Sequence, residues 1–198
     1  IGDKEWKLRA YWPKLALVQG KEFIQDILPD KLFRRECQLV GIDFGSDSIK
    51  VVELEDDGQK LRLKKCGLER LDCASIFDGA IMDISRVTEA LHKLLERLGL
   101  LGCKAALGVS GHSTIVKKLT LPQMSQFELD ASIMWEVEQY IPFDIREVHV
   151  DARIIDPDVE QGQMAVLLCA TKKDAVNDFV SVARDAGAEP LIVDVNSF

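Results

Sequence analysis

The sequence has few cysteines and no long apolar run. Its five cysteines are an odd number, are widely scattered and show no C-x-x-C spacing, so they indicate neither a disulfide framework nor a zinc site. We expect them to be reduced thiols in a cytoplasm. No run approaches the roughly 18 apolar residues that a membrane-spanning helix needs, and no signal-peptide pattern opens the chain. The cysteines are Cys37, Cys66, Cys73, Cys103 and Cys169.

Positive charge is also scarce. The 25 lysines and arginines are outnumbered by 33 aspartates and glutamates, which gives a net charge of -8. Nucleic acid is therefore not expected as a partner, because phosphate backbones select basic faces. With 47% hydrophobic and 29% charged residues, the composition is typical of a soluble globular chain of one or two domains. No methionine precedes Met82, so we expect the sequence to be part of a longer protein.

Residues 1–38 differ from the rest of the chain. They carry eight basic and six acidic residues, and Trp6, Tyr11 and Trp12 lie among the basic ones. Such a mixture suits a membrane interface. The alternative is a leader or extension that lies outside the folded domain. The role of this segment stays open.

Residues 39–54, LVGIDFGSDSIKVVEL, contain two apolar runs on either side of a short polar turn. Each run has the length and composition of a buried strand. The segment therefore predicts a β-hairpin around which the rest of the domain is built. Neither the Walker phosphate loop nor the three-glycine Rossmann fingerprint is present in this segment.

The turn of this hairpin carries side chains suited to phosphate. Gly45 permits a positive φ and a close backbone approach. The hydroxyls of Ser46 and Ser48 and the N–H groups of the turn can face an anion, and Lys50 adds a positive charge. The carboxylate of Asp43 would repel phosphate, so we expect it to hold a hydrated Mg²⁺ that bridges phosphate oxygens. An ordinary tight hairpin is the alternative.

The later segments predict an α/β fold. Residues 39–112 are expected to form three antiparallel strands, a helix that begins after Asp83 and ends at Gly99, and a strand that returns beside the first one. This is the opening order of an actin-like lobe. Residues 113–187 predict a module of strand, helix, two strands and helix, with a capping box at Ser125 and Glu128. Residues 188–198 predict a return strand and the start of a further element.

Three segments carry a resemblance to a known family. They are VGIDFGSDSIKVVEL at residues 40–54, KKLTLPQMSQFELDASIMWEVEQYIPFDIREVHVDARI at residues 117–154 and ARDAGAEPLIVDVNSF at residues 183–198. The chain resembles the PilM family, actin-like proteins of bacterial type IV pilus assembly, over residues 31–198. The resemblance implies an actin-like, ribonuclease H-like lobe, with residues 113–187 as a small inserted α/β subdomain like that of the division protein FtsA. The family's second lobe would follow Phe198.

The resemblance also implies a function. It implies an ATP- and Mg²⁺-binding scaffold, at most a weak ATPase, that works in pilus assembly and twitching motility. The expected partners are the cytoplasmic N-terminal tail of PilN and other proteins of the pilus inner-membrane complex. The expected location is the cytoplasm at the inner face of the bacterial inner membrane, with membrane association only through these partners.

The resemblance implies that the PilN tail lies in a groove between the first subdomain and the inserted one. We expect the strand at residues 114–121 and the corner formed by Trp135, Tyr140, Ile141 and Phe143 to form its wall. Packing of these aromatic residues in the core is the alternative.

Two other functions stay open. A small-molecule kinase of the actin, Hsp70 and sugar-kinase superfamily would use the same phosphate loop, but it also needs an acid that faces a substrate cleft. No candidate for that acid occurs before Phe198. An FtsA-like cell-division protein is the second alternative.

Overall fold

The computed structural model describes residues 39–56, 60–72 and 74–196. The helices are α1 (Ile84–Leu98), α2 (Gln126–Val137) and α3 (Lys173–Asp185), and a short 3-10 helix spans Ile145–Glu147. The strands are β1 (Leu39–Phe44), β2 (Ser48–Asp56), β3 (Leu61–Arg70), β4 (Ile76–Phe77), β5 (Ala80–Ile81), β6 (Lys104–Val109), β7 (Thr114–Pro122), β8 (Val148–Glu160), β9 (Gln163–Lys172) and β10 (Glu189–Val195). The role predicted for residues 1–38 lies outside the described residues.

The first sheet has five strands in the order β10-β6-β1-β2-β3. Strands β1, β6 and β10 are parallel, and β2 and β3 continue the sheet as an antiparallel meander. The predicted hairpin, the third strand and the strand that returns beside the first are all present. Helix α1 begins after Asp83, whose side chain accepts a hydrogen bond from the Arg86 N–H at 3.0 Å, and ends at Gly99, whose φ is +62°. Both predicted caps are confirmed.

The first core lies between one face of this sheet and the helices α1 and α3. Along β1 and β6 alternate residues point into this core, as the two-residue period of a strand requires. The opposite face of both strands is more exposed. The largest contributions come from Val40, Ile42, Phe44, Ile49, Val51, Val87, Leu91, Leu94, Leu95, Leu107, Val176, Phe179 and Val180.

The second core lies between a three-stranded antiparallel sheet, ordered β7-β9-β8, and α2. The predicted capping box of α2 is confirmed: the Ser125 Oγ accepts from the Glu128 N–H, and the Glu128 carboxylate accepts from the Ser125 N–H at 2.8 Å. Strand β8 continues through Pro157 as far as Glu160 before the chain turns into β9. The turn therefore consists of Gln161 and Gly162.

Helix α3 packs differently from its predicted place. We expected it in the inserted module of residues 113–187, but its buried face belongs to the first core, where Phe179 lies with its ring centroid 5.0 Å from that of Phe44. The inserted unit, as the packing defines it, comprises β7, α2, β8 and β9. Sequence order alone placed α3 in that unit, because the helix follows β9 directly.

The chain enters and leaves the inserted unit at one place. The Lys172 N–H donates to the Ser113 carbonyl at 2.9 Å, and the hydroxyls of Thr114 and Thr171 lie 3.0 Å apart. The two crossing strands are therefore immediate neighbours. Next to this junction, Cys169 of β9 is buried in the first core.

Candidate functional site: the phosphate hairpin and the groove between the cores

The turn between β1 and β2 is anchored on both sides. Phe44 and Ile49, which face each other across the hairpin, are 3% and 0% exposed and fix the two strand ends in the first core. The Gly45 N–H donates to the Ser48 carbonyl at 3.0 Å, and the Leu71 N–H donates to the Asp47 carbonyl at 2.9 Å. The turn is thus short, and its polar side chains lie at the surface.

Gly45 has a different role from the predicted one. It is not among the described glycines with positive φ. A Cβ at this position would instead lie 3.0 Å from the Ser48 carbonyl oxygen and 3.2 Å from the Lys50 Nζ. The glycine therefore provides space for the tight turn and for the lysine side chain above it.

Asp43 is held by two neighbours. Its Oδ2 lies 2.8 Å from the Lys50 Nζ, and its Oδ1 accepts a hydrogen bond from the Asn196 Nδ2 at 2.8 Å. Asp43 and Lys50 occupy paired positions on β1 and β2, so their side chains lie on the same face of the sheet. The structure therefore brings Asp43, Gly45 and Lys50 together as predicted, with Ser46 exposed and Ser48 half-buried beside them.

Sequence reasoning missed three residues of this site. Asn196 comes directly after β10, and its side chain passes over Gly108 of β6 to reach Asp43. A Cβ on Gly108 would overlap the Asn196 Oδ1, so glycine leaves the space through which the Asn196 side chain reaches Asp43. The register also places Asp43, Gly108 and Asp194 in one row across three parallel strands. Signals existed for all three, since each lies at the carboxyl end of a predicted buried strand.

Asp194 is a second carboxylate on this face of the sheet. Two strand spacings, roughly 10 Å, separate it from Asp43. Burial raises the pKa of the Asp194 carboxyl, its hydrogen bond from the Val195 N–H opposes this rise, and Asp151 adds to it. Asp194 therefore contributes to the polar character at this edge of the sheet, next to the phosphate turn.

The chemistry of this edge fits a magnesium–phosphate group. Mg²⁺ keeps several waters and is commonly bound through one or two carboxylates together with substrate phosphates. Asp43 and Asp194 supply such carboxylates, and Lys50 and the turn supply positive charge and N–H groups. Within the described residues no group of three or more His, Cys, Asp or Glu side chains forms a metal cluster.

A groove of about 820 Å³ lies between the two cores. It has the size of a ligand or peptide site, and its walls are mostly apolar. The walls are residues 77–82, residues 111–115, Pro142 with Phe143, and Lys172, Ala175, Asp178 and Phe179.

The structure separates the four predicted partner-binding residues. Phe143 lines the groove, as do Thr114 and Ile115 at the start of the predicted wall strand. Tyr140 packs against the second core, and Ile141 is 6% exposed within that core. Ile141 does not line the groove, because its side chain points into the second core where the chain turns after α2. Trp135 is 80% exposed on α2 and does not line the groove.

Charged groups hold the groove's walls in place. The Lys172 Nζ lies 4.6 Å from the centre of the Phe143 ring, which is a cation–π geometry, and the Lys117 Nζ donates to the Tyr140 carbonyl at 2.9 Å. On the opposite wall the His112 Nδ1 contacts the Asp78 carboxylate. Burial raises the pKa of the Asp178 carboxyl in this groove, and Asp174 adds to the shift.

Gly79 and Gly111 allow two loops of the groove to touch. Their φ angles are +75° and +100°, and a Cβ on either would overlap backbone atoms of the other loop. The strand pair β4–β5 is thereby fixed against the start of the inserted unit. The groove is built from both cores and depends on this contact.

A comparison with protein families decides where the chain belongs. The family model for the type IV pilus assembly protein PilM matches residues 41–198, which include α1, α2 and α3 and both sheets except the first two residues of β1. The chain belongs to the PilM family. The predicted family is confirmed, and the match covers both the phosphate hairpin and the groove.

Solved structures agree on the fold of this PilM family chain. A PilM-PilN type IV pilus biogenesis complex contains a chain that matches with a TM-score of 0.71 at 24% identity, over 81% of this chain and 48% of that one. The cytoplasmic domain of EpsL, an inner membrane component of the type II secretion system of Vibrio cholerae, matches with a TM-score of 0.53 at 11% identity, over 80% of this chain and 57% of that one.

These matches confirm the predicted fold class, an actin-like α/β lobe with a smaller inserted subdomain. The chain spans about half the length of the PilM chain that it matches. Among the described residues, none of the helices combines the length and apolar character needed to span a bilayer.

Proposed function

We propose that this chain is the first lobe of an ATP-binding scaffold for type IV pilus assembly and that it binds the cytoplasmic N-terminal tail of PilN. Membership of the PilM family supports pilus assembly as its process. The observation that carries the binding proposal is the mostly apolar groove of about 820 Å³ between the two cores, lined by residues such as Phe77 and Phe143 that could receive the side chains of an extended peptide.

The nucleotide part of the proposal rests on the edge of the first sheet. Lys50 and the turn at Gly45 hold phosphate, and Asp43, kept in place by Asn196, orients a hydrated Mg²⁺. Membership of the PilM family favours a scaffold over a small-molecule kinase.

The location follows from the partner. A protein that binds the PilN tail lies in the cytoplasm at the inner face of the inner membrane, together with other members of the pilus complex. Its membrane association is peripheral, through these partners. Twitching motility is the process that its loss would abolish.

The groove is tested with a peptide of the PilN tail from the same organism. The peptide is titrated by calorimetry against wild-type full-length protein and against Phe143→Ala and Phe77→Ala. If the groove binds the tail, each substitution should weaken binding by about 2 kcal/mol or more, because aromatic anchors dominate such interfaces.

Trp135→Ala is the matched control, because Trp135 is an exposed aromatic residue outside the groove. Circular dichroism confirms that each variant is folded. Folded Phe143→Ala protein that binds with wild-type affinity contradicts the groove assignment. Failure of the wild-type protein to bind the tail contradicts the choice of PilN as partner.

A further inference from the structure

The outer side of α2 is apolar although it faces away from the second core. Phe127, Met134 and Trp135 are 83%, 42% and 80% exposed. Residues that are seven or eight positions apart lie on one side of a helix, so these three and the exposed Ala131 between them form a single stripe. We call these four residues the α2 stripe.

The other two helices do not have such a stripe. On α1 the exposed positions after the first residue, Ile84, are polar or charged, and they include Glu89 and Lys93, which form an ion pair at 2.6 Å. On α3 the exposed positions include Asp174 and Arg184. A helix that is apolar on two opposite sides typically packs against one neighbouring element on each side. The second core supplies only one neighbour for α2.

Negative charge surrounds the α2 stripe. Glu128 and Asp130 lie on either side of Phe127, Glu138 follows the helix end, and α2 itself contains no lysine or arginine. In the described part of the chain, no cation forms an ion pair with these carboxylates. Their partners are uncharged: Glu128 caps Ser125, and Asp130 accepts a hydrogen bond from Gln126. The hydrogen bonds from Ser125 also lower the pKa of the Glu128 carboxyl, so it is charged at neutral pH.

This combination excludes two kinds of occupant. An anionic lipid surface is repelled by the carboxylates, and a second copy docking through the same stripe would place acid against acid. The charges complement a segment with apolar residues flanked by lysine or arginine. We infer that the α2 stripe is a docking surface for a basic amphipathic helix of another protein, separate from the groove that is proposed for PilN.

The probe is an 18-residue amphipathic helical peptide made of leucine and lysine, compared with the same peptide carrying glutamate in place of lysine. Each is titrated into the full chain by calorimetry. We expect the lysine peptide to bind and the glutamate peptide not to bind. Phe127→Ser and Trp135→Ser should each lower the affinity for the lysine peptide at least tenfold. The double variant Asp130→Lys, Glu138→Lys should lower the affinity by as much, although it leaves the apolar residues of the α2 stripe unchanged.

Phe77→Ser is the matched control, because Phe77 is 69% exposed but lines the groove. Its affinity for the lysine peptide should equal that of the wild type. Equal binding of the two peptides, or unchanged binding by both Phe127→Ser and the double charge variant, overturns the inference. It is also overturned if Trp135→Ser abolishes self-association in sedimentation, or if the peptide binds only after residues 1–38 are removed.

Discussion

At the scale of single residues, Asp43 offers the sharpest test of the proposed nucleotide site. Its side chain is 41% exposed, and its pair with Lys50 lies at the surface. Exposed ion pairs contribute about 0–1 kcal/mol to stability. In the full-length protein, Asp43→Ala should therefore weaken Mg-ATP binding at least tenfold while the melting temperature changes little. Calorimetric titration and a thermal melt measure the two effects.

Asp43→Asn is the companion variant. It keeps the shape of the side chain and an acceptor for Asn196, but it removes the negative charge that Mg²⁺ needs. It should therefore behave like Asp43→Ala toward Mg-ATP. Wild-type affinity in both variants would remove Asp43 from the site.

Asp194 leads to a pH prediction. Its folded-state pKa is raised, chiefly by burial, so the folded protein disfavours its charge. The free energy of unfolding is therefore lowered when the carboxyl is charged. This loss is absent at a pH below the pKa of Asp194 in the unfolded chain and complete at a pH above its pKa in the folded protein. Asp194→Asn should thus raise the free energy of unfolding at pH 7, because the neutral amide does not carry the charge that burial disfavours. Denaturant titrations at pH 7 and pH 3.5 measure the gain, which should vanish at the lower pH. A gain that is equal at both values contradicts the explanation.

The proposed phosphate site shows which residues sequence can predict. Asp43, Gly45 and Lys50 lie within one hairpin, so their proximity follows from local structure. Asn196 is 153 positions from Asp43, and only the parallel pairing of β10, β6 and β1 brings the two together. The space that Gly108 leaves for Asn196 depends on this pairing too. Both residues lie at the ends of predicted strands, but no local pattern shows that they meet.

At the scale of secondary-structure elements, the caps of α1 and α2 were predictable, but the sheets on which the helices pack were not. Ser125 and Glu128 form the expected capping box because its two hydrogen bonds join residues three positions apart. The apolar stripe of α3, in contrast, would fit either sheet. Whether such a stripe packs on the first or the second core depends on the path of the whole chain.

The capping box of α2 also supports a stability prediction. Ser125→Ala removes the acceptor for the Glu128 N–H and should lower the free energy of unfolding by about 1 kcal/mol. Ser125→Asp retains an acceptor and should lower it much less. Urea unfolding followed by circular dichroism measures both. Equal losses in the two variants would show that the cap hydrogen bond is not what stabilises this end of the helix.

At the scale of the whole molecule, the two cores are joined by few but specific contacts. Cys169 of β9 is buried against the first core, and burial raises the pKa of its thiol to about 12. The thiol is therefore an inert apolar group at neutral pH. The cysteines in the described part of the chain, Cys66, Cys103 and Cys169, form no disulfide with one another. Cys37 and Cys73 lie outside the described residues.

The neighbouring crossings at Ser113 and Lys172 have a consequence for the modularity of the chain. The hydrogen bond between these residues holds the two ends of the inserted unit side by side. The segment from Thr114 to Thr171 therefore starts and ends at neighbouring points of the fold, as the two ends of a tight turn do. A segment with adjoining ends can be added to a fold, or exchanged for another, with little strain on the sheet that carries it. The five-stranded sheet with α1 and α3 is therefore the constant part of the fold, and the inserted unit is a replaceable part that supplies one wall of the groove.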